Sequence, residues 1–188
     1  MCYTINSNDY YLFSKEDFKM DKNVARLINE QINKELYSAY LYLDFSIYYE
    51  KEGLDGFANW YMVQAQEERD HAMLMLKYLQ LNGEEASLEA IGKPDKEYHS
   101  LMDPLKFGLE HEQYVTSLIN DIYSAAYDVR DFRAMQFLDW FVKEQLEEEK
   151  NAEDMIKKME LFGNDSKGLY SLDSEYAARV YSAPSLVL

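Results

Sequence analysis

From Asp21 onward, apolar side chains recur at alternating steps of three and four, the spacing of one helical face. Four long segments with this period are predicted, near 21–52, 55–82, 103–130 and 131–161. Gly53-Leu54-Asp55-Gly56 separates the first two and is short enough to make them antiparallel neighbours. A long link then runs from Asn82-Gly83 through Pro94. The third segment opens with Asp103 as an expected N-cap and Pro104 at the first helical position. A tight reversal around Arg130-Asp131 divides the third segment from the fourth. Gly163, Asn164 and Gly168 break the pattern, a short fifth helix is predicted near 170–180, and a loose tail at Ala183-Pro184 follows. Two hairpins joined by one long crossover make an all-α four-helix bundle. Residues 1–20 lack a clean period and read as an N-terminal extension; 21–181 read as the domain and 182–188 as its C-terminal tail.

The inward faces carry an anomaly. The first is Val24, Ile28, Gln31, Glu35, Ser38, Tyr42, Phe45 and Tyr49; the second is Phe57, Trp60, Gln64, Glu68, His71, Met75 and Tyr78. The third is Leu105, Leu109, Glu112, Thr116, Ile119, Tyr123 and Ala126; the fourth is Ala134, Leu138, Phe141, Gln145, Glu148, Ala152, Met155 and Met159. Each face is mostly apolar, and each has polar, ligand-type residues near its middle. An unpaired buried carboxylate costs several kcal/mol. No Lys or Arg falls on these faces, so protons or bound cations must compensate. Glu35, Glu68, Glu112 and Glu148 bring four negative charges, which two divalent ions would balance. Carboxylates with one imidazole suit iron, manganese or zinc better than copper(I). Glu68 and His71 are three apart and project from one side of a helix; Gln145 and Glu148 repeat that spacing. A lone His on an apolar face is usually a satisfied core residue, and a lone buried Glu a partner for a neighbouring helix. Six such positions level with one another favour a metal centre. His99 and His111 lack such company and are expected at the surface, and Glu147-Glu148-Glu149 by itself would be a solvated face.

Composition narrows the partners. The 188 residues suit one domain, and 47% are hydrophobic, with few Gly or Pro. A net charge of -16 repels nucleic acid and anionic membrane, so neither is an expected partner, whereas cations are attracted. The single cysteine, Cys2, excludes an internal disulfide framework and a CxxC site. The first twenty residues show neither a basic start nor an apolar run, so no signal peptide is expected. No apolar run approaches the ~20 residues of a membrane span. A cytoplasmic protein is the expectation.

The segments NEQINKELYSAYLY (29–42), QEERDHA (66–72), EHEQ (110–113) and WFVKEQLEEEK (140–150) together resemble the ferritins, specifically the bacterial non-haem type. The resemblance runs from about Asp21 to about Ala178. Ferritin-like di-iron bundles are described by a Glu from each of two helices and a Glu-x-x-His from each of the other two. This sequence nearly fills that template, with Gln145-x-x-Glu148 in place of a second Glu-x-x-His. The resemblance implies ferroxidase activity on Fe(II) with oxygen or hydrogen peroxide as oxidant. It implies a first iron at Glu35, Glu68 and His71, a second at Glu112 and Glu148, and Glu68 bridging, with Gln145 near the second ion. Tyr42 matches the tyrosine beside the dinuclear centre, and Glu67, Glu144, Glu147 and Glu148 match a third iron site. A homo-oligomeric shell of 24 subunits storing ferric mineral is implied too. Bacterioferritins place a haem-ligating methionine after the second-helix glutamate; Arg69 stands there, so no haem is expected. The acidic pair of the animal heavy-chain iron channel falls at Met135 and Leu138, which leaves Asp121, Asp128 and Asp131 as candidates for another route. Two rival readings remain: a di-metal oxidase or peroxidase on the same bundle, and a cation-buffering bundle without turnover.

Overall fold

The structure, a computed structural model, describes residues 19–188. The extension expected over 1–20 lies outside the described residues apart from its last two, of which Met20 is buried in the bundle. Five helices follow in order: α1 Lys22–Lys51, α2 Asp55–Leu81, α3 Asp103–Asp128, α4 Phe132–Phe162 and α5 Ser166–Tyr176. Their order confirms the two hairpins, the long crossover and the short fifth helix. No helix among the described residues is long and apolar enough to cross a membrane.

Helix ends follow local polar chemistry. The Asp21 carboxylate accepts from the amides of Asn23 and Val24 and starts α1; Asp131 accepts from the Ala134 amide and starts α4. Asp103 differs from expectation. It is the first residue of α3, and its carboxylate accepts from the amides of His99 and Ser100, closing the turn before the helix. α5 begins four residues earlier than predicted, because Asp165 caps it through the Gly168 amide and draws Gly168 into its first turn. The hairpin turns use positive φ at Gly53 (76°) and, less comfortably, at Arg130 (56°).

α2 has no side-chain cap of its own. Asp173 of α5 supplies one, accepting from the amides of Gly56 and Phe57 at 2.8 and 3.1 Å. A Cβ on Gly56 would sit 1.7 Å from the Asp173 carbonyl oxygen, so only glycine permits this approach. The contact fixes where the chain leaves α5.

Two apolar cores fill the bundle. One joins Val24, Ile28 and Ile32 with Met75, Ile119, Ile122, Leu138 and Phe141. The other joins Tyr42, Phe45 and Tyr49 with Phe57, Tyr61, Leu105, Met155 and Leu172. The predicted faces of α1, α2 and α4 are buried apart from Trp60 and Ala152, which are half-buried. On α3 the observed face is Leu105, Gly108, Glu112, Val115, Ile119, Ile122 and Ala126, and the expected Leu109, Thr116 and Tyr123 are half-buried. The same alternation enters with its short step first. Gly108 packs against the rings of Phe45, Tyr42 and Tyr61, where a Cβ would meet them at ordinary contact distances of 3.5 to 4.0 Å.

Candidate metal centre

The polar layer lies where the two cores meet. Glu35 comes from α1, Glu68 and His71 from α2, Glu112 from α3, and Gln145 and Glu148 from α4. All six side chains are between 1% and 6% exposed. Donor atoms of Glu35, Glu68 and His71 lie within 4.8 Å of one another, and so do those of His71, Glu144 and Glu148. His71 Nδ1 is 3.4 Å from Glu68 Oε2, and its Nε2 is 3.9 Å from Glu144 Oε1. The histidine thus joins two clusters.

Amides and one phenol hold the carboxylates. Gln31 Nε2 donates to Glu35 Oε1 at 2.9 Å. Gln64 Nε2 donates to Glu68 Oε1 at 2.9 Å and to Glu148 Oε2 at 2.8 Å, tying α2 to α4. Gln145 Nε2 donates to Glu112 Oε2 at 3.1 Å, and Tyr42 Oη donates to Glu112 Oε1. Glu35 Oε2 is buried and meets no N–H or hydroxyl donor among the described residues.

Burial pushes the Glu35 carboxyl up to about 8, and the neighbouring Glu68 adds to the shift. Glu112 rises to about 8 for the same reasons. Glu68 and Glu148 rise as well, first through burial, then through repulsion from Glu148 and Glu112 respectively. The free site therefore favours protons, which a divalent cation would displace. A set of hard oxygens, one imidazole and an orphaned buried acceptor suits divalent cations, and Glu112 lies outside both close donor groups.

The expected third-site residues form a wetter rim. Glu144 is half-buried beside His71, and Glu147 is exposed. Burial raises the carboxyls of Glu67 and Glu144. Glu67 belongs to neither close cluster and pairs with Arg179 Nη2 at 2.5 Å. Of the alternative route residues, Asp121 and Asp128 are exposed and Asp131 is engaged as the α4 cap; Met135 is half-buried and Leu138 lies in the core.

Sequence reasoning missed three features. Gln31 and Gln64 stand four residues before Glu35 and Glu68, a spacing that already places amide beside acid on one face. His111 was expected at the surface, but it is largely enclosed. Its Nε2 lies 2.7 Å from Ser38 Oγ, and Tyr37, Tyr42 and Tyr114 surround its ring. Burial lowers its pKa to about 4, so the ring is neutral at ordinary pH. The third feature is the tail, which was read as loose. It lies against the bundle, with Trp140 Nε1 donating to Ser185 Oγ at 3.0 Å and Leu186 packed on the first core.

Comparison with known proteins agrees with this geometry. A family profile described as a ferritin-like domain matches residues 25–162. A probable bacterial non-heme ferritin-like protein of Haemophilus influenzae is 37% identical over 83% of this chain and 94% of its own. A bacterial non-heme ferritin of Staphylococcus epidermidis is 36% identical over 87% of this chain and 98% of its own. Among solved structures, an open pore ferritin from the archaeon Archaeoglobus fulgidus superposes with a TM-score of 0.84 at 39% identity, covering 86% of this chain and all of the other. With its bundle, its buried carboxylate layer and these relatives in agreement, the chain belongs to the ferritin family.

Proposed function

We propose that this protein stores iron by oxidising Fe(II) at a dinuclear ferroxidase centre and depositing the ferric product as mineral inside a hollow shell of 24 copies. Glu35, Glu68 and His71 hold the first Fe(II), Glu112 and Glu148 the second, and Glu68 spans both. Iron is here substrate and cargo. The observation that carries the reading is the buried donor set with Glu35 Oε2 left without a hydrogen-bond donor.

The side chains have distinct tasks. The four carboxyls hold protons in the free site and release them as Fe(II) arrives. Gln64 fixes Glu68 relative to Glu148, and Gln145 with Tyr42 orients Glu112. Each of two Fe(II) gives up one electron; one dioxygen takes both together with two protons and leaves as hydrogen peroxide. Charge on the pair then exceeds what four carboxylates neutralise, which weakens retention. Glu144 and Glu147 offer the next oxygen ligands outward.

The space on the Tyr42 side of the centre suits a small oxidant, and the roomier cavity on the His71 side is walled by carboxylates and is polar, which suits cations better than an apolar organic substrate. The space bordered by Tyr42, Tyr61, Gln64, Gly108, Glu112 and Glu148 is about 20 Å³, close to the minimum for one water. A larger apolar groove of about 490 Å³ lies between α1 and α2, and none of the six centre residues lines it. A cation-buffering role without turnover is the second reading, since the same donors would bind ions silently. Anaerobic Fe(II) titration followed by air separates the two. Two tight ions per chain, oxygen uptake and growth of a large ferric core are expected; tight binding without oxygen uptake would leave only buffering.

A further inference from the structure

Beyond α5 the chain turns back along the groove between α2 and α4. Asn59 Nδ2 donates to the carbonyls of Tyr176 and Arg179 at 3.3 and 3.0 Å. Arg179 donates from Nη1 to the Trp60 carbonyl at 3.1 Å and from Nη2 to Glu67 Oε2 at 2.5 Å. Its guanidinium carbon lies 4.0 Å from the Trp60 ring centroid. Tyr181 Oη donates to Asp70 Oδ2 at 2.5 Å, and Trp140 holds Ser185. The strap and the two helices enclose a cavity of about 240 Å³ whose walls include His71, Glu67, Glu144, Glu147, Glu148 and Arg179.

We propose that Arg179 is the built-in counter-ion of this rim and competes with a third metal ion for Glu67. The proposal rests on the ferroxidase reading given above and adds a residue to it. Three observations carry it. Glu67 and Arg179 are mutually buried, with side chains 18% and 14% exposed, so water cannot easily replace either partner. The guanidinium is also tied to a carbonyl and stacked on a ring, which fixes it over the cavity. Glu144 and Glu147 have no bond to Arg179 and Glu148 is held by Gln64 instead, so of the rim carboxylates only Glu67 is taken by the guanidinium. Guanidinium does not deprotonate in a protein, so pH cannot relieve the competition; the strap has to move. The third ion is thereby held weakly, and iron leaving the dinuclear pair crosses the rim without being trapped there.

Both tryptophans of the chain, Trp60 and Trp140, touch the strap and report its position. The test is calorimetric titration of the assembled protein with Zn(II), a redox-silent ion suited to the same donors, with tryptophan emission followed in parallel. The wild type is expected to take two Zn(II) per chain tightly and a third at least about tenfold more weakly, the third with an emission change. Arg179→Ala should tighten the third ion by about tenfold or more, Arg179→Lys by less, and adding Glu67→Gln to Arg179→Ala should cancel the gain. The lysine variant keeps the charge and guards against loss of the seated strap. Equal third-ion affinity in wild type and both Arg179 variants would overturn the proposal, as would third-ion binding in the wild type with unchanged emission. Failure to bind even the first two ions would instead overturn the dinuclear reading.

Discussion

The interior centre and its rim solve one problem in two ways. Both cluster carboxylates on α2 and α4, one residue apart in the sequence at Glu67 and Glu68. Inside, no Lys or Arg among the described residues forms an ion pair with Glu35, Glu68, Glu112 or Glu148, which rely on amides, a phenol and protons. At the rim, Arg179 supplies a fixed positive charge to Glu67, and solvent serves Glu147. The interior is thus left with a deficit that a metal ion would fill, whereas the rim is partly satisfied before any ion arrives. On the proposed function, the centre that binds tightly keeps its charges uncompensated, and the rim that passes cargo on does not.

The strongest way to break this comparison is to remove Glu68, the interior carboxylate proposed to bridge the two ions. Residues that only orient a metal ligand typically change affinity or activity 10- to 100-fold, so Glu68→Ala is expected to slow initial Fe(II) oxidation by more than about 100-fold. Helix content by circular dichroism should stay unchanged, and an unaltered rate would mean the chemistry lies elsewhere.

Next in size is the response to pH. The folded-state carboxyls of Glu35 and Glu112 lie near 8, above the value of 4.5 for the unconstrained side chain. The metal-free fold therefore binds more protons than the unfolded chain between those values. Its added stability is complete below about 4.5 and is lost as pH rises through about 8. Denaturant titrations of metal-free protein should show stability falling by on the order of a few kcal/mol from pH 5 to pH 9. Saturating metal should flatten or reverse that slope, because bound cations keep the carboxylates ionised.

A pair of neutral isosteres sharpens the contrast. At pH 8, Glu35→Gln removes a stranded acceptor and should stabilise the metal-free protein by about 1–3 kcal/mol while weakening binding of the first ion. Glu147→Gln changes an exposed carboxylate and should move stability by less than about 0.5 kcal/mol. Urea melts of both variants without metal provide the comparison; similar shifts would mean that the two regions are not electrostatically distinct.

Much of the polar layer is visible along the chain because its residues obey helical spacing. Glu68 and His71 share a face by being three apart, and the same rule exposes Gln145 with Glu148. Gln31 and Gln64 obeyed it too, although their role as carboxylate donors was overlooked. His111 defied the reading because its neighbours come from another helix: Ser38 is 73 residues away. Arg179 and Glu67 are 112 residues apart, and no local period links them.

The sequence by itself determined the five helices, their order and the six-residue polar layer, since the backbone period and the transfer of apolar groups out of water act on neighbours along one chain. The tertiary structure alone decided the donors that reach Glu112 and Glu148 from other helices, the burial of His111, the α2 cap supplied by Asp173 and the seating of Arg179 over the rim. Those outcomes depend on distances between segments far apart in the chain, and such distances exist only once the helices have packed.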